Sequence, residues 1–217
     1  MPDQRSRLRD QRRADTQRAI QAQAVRLFSE RGYDATTVHD VAEAAGVSPM
    51  TVYRHFPTKE DLVLLDDRGQ LVAERIAAAP AAQPLVRRIG GALIESAAAL
   101  TGGSHRDFLL ARLRLMISTP ALRAKHLDNQ YALQQAIVAA VGDDAADPDS
   151  AFRVQAAASA CLAALHTAVV RWAEDDGRTD LPALISTALT AAFGDDVGGR
   201  APTHRTDGPT TRSGQGP

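Results

Sequence analysis

Cysteine, lysine and aromatic residues are all scarce in this chain of 217 residues. The single cysteine, Cys161, excludes a disulfide framework and a cysteine-based metal site, and it fits a reducing cytoplasm. Aromatic residues make up 4% of the chain, although hydrophobic residues make up 44%. Alanine supplies much of the apolar content, which favours closely packed helices over sheets. Alternating strand patterns bounded by turns are also missing, so we expect an all-α protein.

The sequence has no segment with the pattern of a membrane span or a secretory signal. The longest apolar stretch, 151–173, contains Arg153, His166 and Arg171, so a buried helix is expected there. The N-terminus is charged throughout, which argues against a signal peptide. No metal-ligand set, phosphate loop or glycine fingerprint occurs, and we expect no cofactor. These features predict a cytoplasmic protein that does not enter a membrane.

Positive charge is concentrated near the N-terminus, although the whole chain has a net charge of −1. Residues 1–31 contain eight arginines and four acids, which gives 8 − 4 = +4. We predict that residues 1–13 form a flexible basic arm suited to phosphates or to a minor groove. A solvated tail without a role is the alternative.

The segment 36–59, TTVHDVAEAAGVSPMTVYRHFPTK, carries the most specific pattern in the chain. Thr37 begins a predicted capping box, and Gly46 is placed to take the left-handed conformation that ends the first helix. Ser48 caps a second helix whose first residue is Pro49. Two short helices joined by a tight glycine turn are typical of a helix-turn-helix, which binds DNA.

The helical pattern continues on both sides of this motif. An upstream helix from about Asp15 to Arg31 is expected to complete a small three-helix core. We predict an arm over 1–13, a helix-turn-helix domain over 14–67, a second helical domain over 68–194 and a disordered tail over 195–217. A helix is expected to start at Lys59, to be interrupted at Gly69 and to end before 80–84, and further helices are expected over 85–100, 107–118, 121–141, 149–175 and 181–193.

Side chains that point away from the small core are the predicted DNA contacts. Val52 and Phe56 point inward at i, i+4, which leaves the polar and aromatic side chains of the second helix outside. Lys59 opposes the dipole of the next helix and so indicates a nearby anion, either a DNA phosphate or, as the alternative, only solvent. The predicted contacts with double-stranded operator DNA are Thr36, Thr37, Ser48, Pro49, Met50, Thr51, Tyr53, Arg54, His55 and Lys59. Of these, Thr51, Tyr53 and His55 are expected near the bases, and Thr36, Thr37 and Lys59 on phosphates.

Residues 15 to about 67 resemble the DNA-binding domain of TetR-family transcriptional regulators. The resemblance rests on LFSERGYDATTV, AAGVS, TVYRHF and the Lys-Glu-Asp-Leu that begins at Lys59. Pro49 and Met50 depart from the family pattern, which often has a basic residue and a glycine after the serine cap. The resemblance implies a ligand-responsive regulator, as a rule a repressor, that binds a palindromic operator as a homodimer.

The second half is similar to the acyl-CoA-like ligand-binding domain of mycofactocin-type regulators in the same family, through RLRLMISTPALRAKHLDNQ and VVRWAEDDG. The resemblance implies a small apolar or acyl-bearing effector, with an acyl-CoA as one candidate. The predicted ligand-binding residues are Phe108, Arg112, Leu113, Met116, Leu127, Tyr131 and Trp172. Arg112, Arg114, Arg123 and Lys125 are expected to face phosphates at the pocket mouth. Ordinary core packing of Met116 and the aromatic residues is the alternative.

The last two helices carry more apolar surface than one small core requires. The helix over 149–175 has a bulky face and a face of small residues, and the helix over 181–193 has a continuous apolar stripe. The small residues are Ala156, Ala160, Ala163 and Thr167. The family resemblance implies that these two helices form the dimer, and a wholly intramolecular core is the alternative.

Two other classes of function remain open. A helix-turn-helix can act as a protein-interaction module without binding DNA. A small helical hydrolase would need a catalytic set, and only Ser104, His105 and Asp107, or His126 with Asp128, supply suitable residue types. Neither set lies at a nucleophile elbow, so an enzyme is not expected.

Overall fold

The computed structural model describes residues 4–64, 68–103, 105–142 and 149–194. These residues form ten α-helices and contain no strand. The helices are α1 (Gln4–Arg31), α2 (Val38–Ala44), α3 (Pro49–His55), α4 (Asp61–Leu64), α5 (Arg68–Ala78), α6 (Leu85–Thr101), α7 (His105–Ser118), α8 (Pro120–Val141), α9 (Ser150–Glu174) and α10 (Leu181–Phe193). The all-α class predicted from the sequence is confirmed.

The first four helices form the N-terminal part of the core. Helix α1 packs against α2, α4 and α7, and α2 packs against α3. Ile20 and Phe28 of α1, Val41 of α2 and Val52 of α3 are all buried in this core. These residues recur at helical spacing, so one apolar stripe of each helix turns inward.

The remaining helices form a second layer of packing in which α9 is central. It contacts α6, α7, α8 and α10, while α5 packs between α6 and α8. Helix α7 joins the two halves, because it contacts α1 and α4 on one side and α8 and α9 on the other. The buried side chains of both halves form one continuous hydrophobic cluster.

The C-terminal helices begin and end within two residues of their predicted positions. Their boundaries follow from strong local signals. Pro84 precedes α6, Pro120 is the first residue of α8, and Gly142 and Gly194 follow the ends of α8 and α10. Proline starts a helix without losing a hydrogen bond, and glycine after the last turn ends one.

The N-terminal predictions were wrong in two places. Helix α1 begins at Gln4 rather than near Asp15, so residues 4–13 are helical and not a flexible arm. No glycine or proline occurs between Gln4 and Arg31 to interrupt the helix. Gly69 does not interrupt a helix either, because it lies in the first turn of α5. The predicted tail 195–217 and the domain boundary at 67/68 fall wholly or partly outside the described residues.

Helix α9 is long and apolar enough, by length and composition, to cross a membrane. In this fold, however, Cys161, Leu162 and Trp172 are buried against neighbouring helices. Burial raises the pKa of the Cys161 thiol to about 12, which leaves it uncharged and unreactive. The helix is therefore a core helix, as expected from the sequence.

Candidate DNA-binding surface and ligand cavity

The turn between α2 and α3 has the caps that the sequence predicts. The Asp40 backbone N–H donates to Thr37 Oγ1 at 3.1 Å, and the Thr37 backbone N–H donates to Asp40 Oδ2 at 2.7 Å. Gly46 has a φ of +67°, which a residue with a Cβ rarely adopts. The Thr51 N–H donates to Ser48 Oγ at 3.1 Å, and this bond caps α3. Local sequence therefore fixes the relative orientation of the two helices.

Helix α3 exposes one face and buries the other. Val52 and Phe56, the first at mid-helix and the second at the C-cap, are buried in the core. Met50 is 76% exposed and Tyr53 is 51% exposed, although both are large hydrophobic side chains. Arg54 is exposed beside them, at i+4 from Met50. Such a face, presented by the second helix of the motif, has the form of a major-groove recognition surface.

Thr36 does not lie on this surface. Its side chain is 1% exposed, and its hydroxyl donates to the backbone oxygen of Gly32 at 2.9 Å. The prediction that Thr36 contacts a phosphate was therefore wrong. Thr37, its neighbour, is exposed, and its hydroxyl donates to the Asp40 carboxylate at 2.6 Å.

Lys59 lies just before α4 and is half-buried. Its ammonium donates to the backbone oxygen of Tyr33 at 2.6 Å and lies 4.2 Å from the centre of the Tyr33 ring. The Tyr33 hydroxyl donates in turn to Glu60 at 2.7 Å. An ammonium group has three donors, so these contacts orient Lys59 without using all of its hydrogen-bonding capacity.

The basic N-terminal part of α1 lies beside the C-terminal end of α3. Burial, and then the charges of Arg13 and Arg54, lower the pKa of His55 below its ordinary value. Nδ1 of His55 is buried and has no hydrogen-bond partner among the described residues. Arg13 itself is exposed, as are Arg9 and Arg12 on the preceding turn. Helix α1 thus places positive charge next to the exposed face of α3.

The second half contains an apolar cavity of about 260 Å³ between α6, α7, α8 and α9, with α4, α5 and α10 at its edges. Its apolar wall includes Leu93, Ala97, Leu109, Leu133, Leu162 and Val169. Polar side chains also reach it, namely Ser96, Arg112, His126, Asn129, Gln130 and His166. A largely apolar cavity with a few convergent polar groups is typical of a small-molecule site.

Three of the seven predicted ligand-binding residues line this cavity: Arg112, Leu113 and Met116. Phe108 does not line it but packs against Arg112, with the guanidinium carbon 5.7 Å from its ring centre. Trp172 is buried outside the cavity, where its indole N–H donates to the Thr179 backbone oxygen at 2.9 Å. A Cβ on Gly177 would lie 3.2 Å from its ring, and the φ of Gly177 is +71°, so this corner favours glycine.

Leu127 and Tyr131 were assigned to the wrong side of α8. They are 62% and 64% exposed and point away from the cavity. The polar side chains of α8 that line the cavity are His126, Asn129 and Gln130. His126 and Gln130 directly precede the exposed Leu127 and Tyr131 in the sequence. Leu127 and Tyr131 stand at i, i+4 like a buried pair, and this apolar spacing misled the prediction.

Each of the four cations expected at a phosphate-binding mouth has a protein partner instead. Arg112 Nε donates to the Val63 backbone oxygen at 2.6 Å, and Lys125 pairs with Asp61 at 3.1 Å. Arg114 pairs with Asp176, and Arg123 donates to the Ile117 backbone oxygen.

Two side chains connect the cavity to α4, and the Lys125–Asp61 pair adds a contact between α8 and α4. Arg112 and Asn129 both line the cavity, and both donate to α4 carbonyls, to Val63 at 2.6 Å and to Leu64 at 3.3 Å. Val63 and Leu64 are the last two residues of α4. Burial raises the pKa of Asp61, but hydrogen bonds from Thr58 and the Lys125 ammonium outweigh it and hold this pKa below its usual range.

His126 and His166 form a pair that the sequence did not indicate. His126 Nε2 lies 3.2 Å from His166 Nδ1, and the rings stack with their centres 5.3 Å apart. They come from α8 and α9, so only the fold reveals their proximity. His126 thus has an imidazole partner, whereas a hydrolytic dyad with Asp128 would need the exposed Asp128 to approach it. Ser104, of the other hydrolase set, lies outside the described residues.

Each half of the chain matches the model of a known protein family. The model of bacterial regulatory proteins of the tetR family matches residues 20–65, and that of the MftR C-terminal domain matches residues 83–192. The chain belongs to the TetR family. The resemblance seen in the sequence is therefore confirmed for both domains.

Relatives of this TetR-family chain include the HTH-type transcriptional regulator TcmR of Streptomyces glaucescens, which is 30% identical over 128 residues, 55% of this chain and 56% of TcmR. The chain spans about half the length of the curated relatives it matches. The solved structure of native NalD from Pseudomonas aeruginosa has a TM-score of 0.56 at 22% identity, over 84% of this chain and 97% of NalD. FadR from Bacillus subtilis, solved in complex with stearoyl-CoA, has a TM-score of 0.51 at 21% identity, over 81% of this chain and 97% of FadR. These two structures share the fold of this chain.

The TetR-family chain also exposes an apolar face on its last two helices, which we call the α9–α10 face. It consists of Phe152, Ala156, Ser159, Ala163 and Thr167 on α9 and Ala183, Thr187 and Ala191 on α10. The hydroxyls of Ser159, Thr167 and Thr187 donate to carbonyls of their own helices at 2.9 to 3.0 Å. The face therefore offers small side chains whose polar atoms are already satisfied.

Proposed function

We propose that this protein is a cytoplasmic transcriptional repressor that binds a palindromic operator as a homodimer and is released by a small apolar or acyl-bearing effector. The observation that carries the proposal is the capped helix-turn-helix, in which α3 exposes Met50, Tyr53 and Arg54. A stable soluble domain gains nothing from exposing two large apolar side chains on one helix face, whereas base edges and thymine methyls are suitable partners for them.

The contacts divide into two kinds. Tyr53, Thr51 and His55 lie near the bases, and Met50 packs against a thymine methyl, because Pro49 and Met50 offer no charged donor. Thr37, Ser48, Arg54 and Lys59 reach phosphates, which fix the register without reading sequence. The arginines at the start of α1 add positive charge beside α3, in place of the flexible arm expected from the sequence.

The α9–α10 face supports the homodimer. In the single chain it is exposed and uncharged, and its residues other than Phe152 are small, a composition that lets two helix pairs approach closely. Two copies of this face related by a twofold axis form a four-helix interface. A twofold dimer matches the symmetry of a palindromic operator.

The two hydrogen bonds from cavity-lining side chains to α4 support control by a ligand. A molecule that displaces Arg112 or Asn129 from the α4 carbonyls changes the position of α4, which packs directly on α1. In a dimer this shift alters the separation of the two α3 helices. Ordinary coupling of this kind is worth about 1–3 kcal/mol, and by reciprocity the operator weakens ligand binding by the same factor.

Two of the structures that share this fold bear on the effector and the role. NalD is described as a secondary repressor of a multidrug efflux pump, and FadR was solved with stearoyl-CoA. They suggest a repressor with an apolar ligand, and an acyl-CoA is one member of that class. No catalytic role is proposed, since the relatives are described as transcriptional regulators.

A binding experiment on duplex DNA tests the proposal. Palindromes taken from the DNA beside the gene are titrated with the full-length protein at several salt concentrations, next to a shuffled duplex of the same composition. We expect tighter binding to one palindrome and a steep loss of affinity with salt. Tyr53→Ala should weaken binding to the palindrome by about 1–3 kcal/mol and should weaken binding to the shuffled duplex by less.

Weak DNA binding that neither depends on salt nor prefers the palindrome would instead favour a helix-turn-helix that acts as a protein-interaction module. Tyr131→Phe is the matched control, because Tyr131 is as exposed as Tyr53 but lies on α8, away from the helix-turn-helix. It should leave both affinities unchanged.

A further inference from the structure

We propose that the effector is an uncharged amphipathic molecule whose hydroxyl or carbonyl head is held by His166 and Gln130 and whose apolar body fills the cavity. This inference rests on the proposed function and narrows its ligand class. It distinguishes a free alcohol or ketone from a fatty acid and from a thioester of coenzyme A.

Two polar side chains of the cavity keep hydrogen-bonding groups that the protein does not use. Nε2 of His166 has no hydrogen-bond partner among the residues that the structure describes, because the pair with His126 uses Nδ1. The Gln130 carboxamide likewise has no protein partner in that part of the chain. Ser96, in contrast, donates to Ala92 and accepts from Arg75. Both free groups line the cavity, Gln130 from α8 and His166 from α9, and these two helices pack against each other.

The histidine pair suits a head that both donates and accepts. One ring must supply a lone pair to the other, so at least one imidazole is neutral. In the neutral pair, Nε2 of His166 is either a donor or an acceptor, depending on which ring carries the shared proton. A Gln side chain also offers both a donor and an acceptor. A hydroxyl or a carbonyl oxygen satisfies such a site without bringing a charge.

A charged head finds no equivalent support. A buried anion needs a cation that is free to pair with it. Arg112, the permanent cation of the cavity wall, donates through Nε to Val63, lies over the Phe108 ring and makes a further interaction within the protein, and Lys125 is paired with Asp61. Arg114 and Arg123 also have partners, so the described cations near α8 do not form a clamp for the phosphates of coenzyme A.

The experiment compares four ligands with the same ten-carbon chain: 1-decanol, 2-decanone, decanoate and decanoyl-CoA. Each is titrated into the full-length protein by calorimetry, and the same titrations are repeated with His166→Phe and Gln130→Leu. We expect decanol and decanone to bind more tightly than decanoate and decanoyl-CoA. Each variant should bind decanol about tenfold more weakly, which is the loss of affinity expected for one buried hydrogen bond. Tyr131→Phe, which removes a hydroxyl from the outer side of α8, should not change any of the four affinities.

Three results would overturn the inference: tightest binding by decanoyl-CoA or decanoate, unchanged decanol affinity in both variants, or no binding of any of the four. Thermal melting identifies a variant that does not fold, and Gln130→Leu then decides alone, since it lies on a different helix from His166. Operator affinity is measured in parallel. A wild-type protein that fails to bind its palindrome refutes the proposed function, whereas intact operator binding with the wrong ligand order refutes only this inference.

Discussion

Thr36 and Thr37 are neighbours in the sequence but have opposite surroundings in the fold. Thr36 is buried, and its hydroxyl holds the Gly32 carbonyl at the end of α1. Thr37 is exposed and caps α2 through Asp40. The first hydroxyl therefore contributes to the stability of the N-terminal core, and only the second is placed where it can meet DNA.

This difference predicts separate effects for two isosteric substitutions. Thr36→Val should lower the free energy of unfolding by about 1 kcal/mol, because a buried hydrogen bond is lost, and should leave the DNA affinity of the folded protein unchanged. Thr37→Val removes a cap worth about 1 kcal/mol and should also weaken binding to every duplex. Urea unfolding and fluorescence anisotropy measure the two quantities. If a fully stable Thr36→Val protein bound DNA more weakly, the Thr36 hydroxyl would have to contact DNA, contrary to this assignment.

At the scale of the elements, α1 determines how positive charge reaches the DNA-binding face. Twenty-eight residues in one helix span about 42 Å. A flexible arm would sample many positions, but a helix continuous with the core holds its arginines in fixed places. Arg13 is consequently close enough to His55 to lower the pKa of that imidazole.

The pKa of His55 tests this placement. Removing the positive charge in Arg13→Gln makes protonation of His55 easier, so its pKa should rise toward the ordinary value. Arg54→Gln should act in the same direction, whereas Arg31→Gln, at the other end of α1, should have no effect. Titration of the imidazole signals by NMR measures these shifts. An unchanged pKa in Arg13→Gln would mean that the start of α1 lies away from α3 in solution.

The sequence predicted the elements with strong local signals and missed those that depend on tertiary contacts. The caps at Thr37 and Ser48 and the prolines at the starts of α3 and α8 are local, so α3 and the C-terminal helices were placed well. Which side chains of α8 point inward depends on the α9 side chains that pack against them. The pairing of His126 with His166 follows from that packing, and no periodicity in α8 alone could have indicated it.

At the scale of the whole molecule, the proposed function requires a dimer that holds two α3 helices at a fixed separation. The α9–α10 face is the exposed apolar surface of the last two helices. It lies on the helices that also form one wall and one edge of the cavity. In the proposed function, α9 connects the ligand to the interface, and α4 connects the ligand to the DNA-binding helices.

Substitution in this face should separate assembly from folding. Ala163→Glu places a charge at an exposed position, so the single chain should fold normally while the dimer is weakened. Light scattering after gel filtration should show a shift toward the monomer, and operator affinity should fall with it. Ala98→Glu, at an exposed position of α6, is the matched control and should remain dimeric. A dimer that tolerates Ala163→Glu would place the interface elsewhere.

The scarcity of lysine has a consequence for chemical modification. The chain contains two lysines, Lys59 on Tyr33 inside the DNA-binding domain and Lys125 on Asp61 between the two halves. Acetylation neutralises an ammonium group and enlarges it, so either site would lose its contact. Side-chain acylation of this protein would thus act on the packing of the DNA-binding domain at Lys59 and on its connection to the second half at Lys125, and the arginine-rich surface would be untouched.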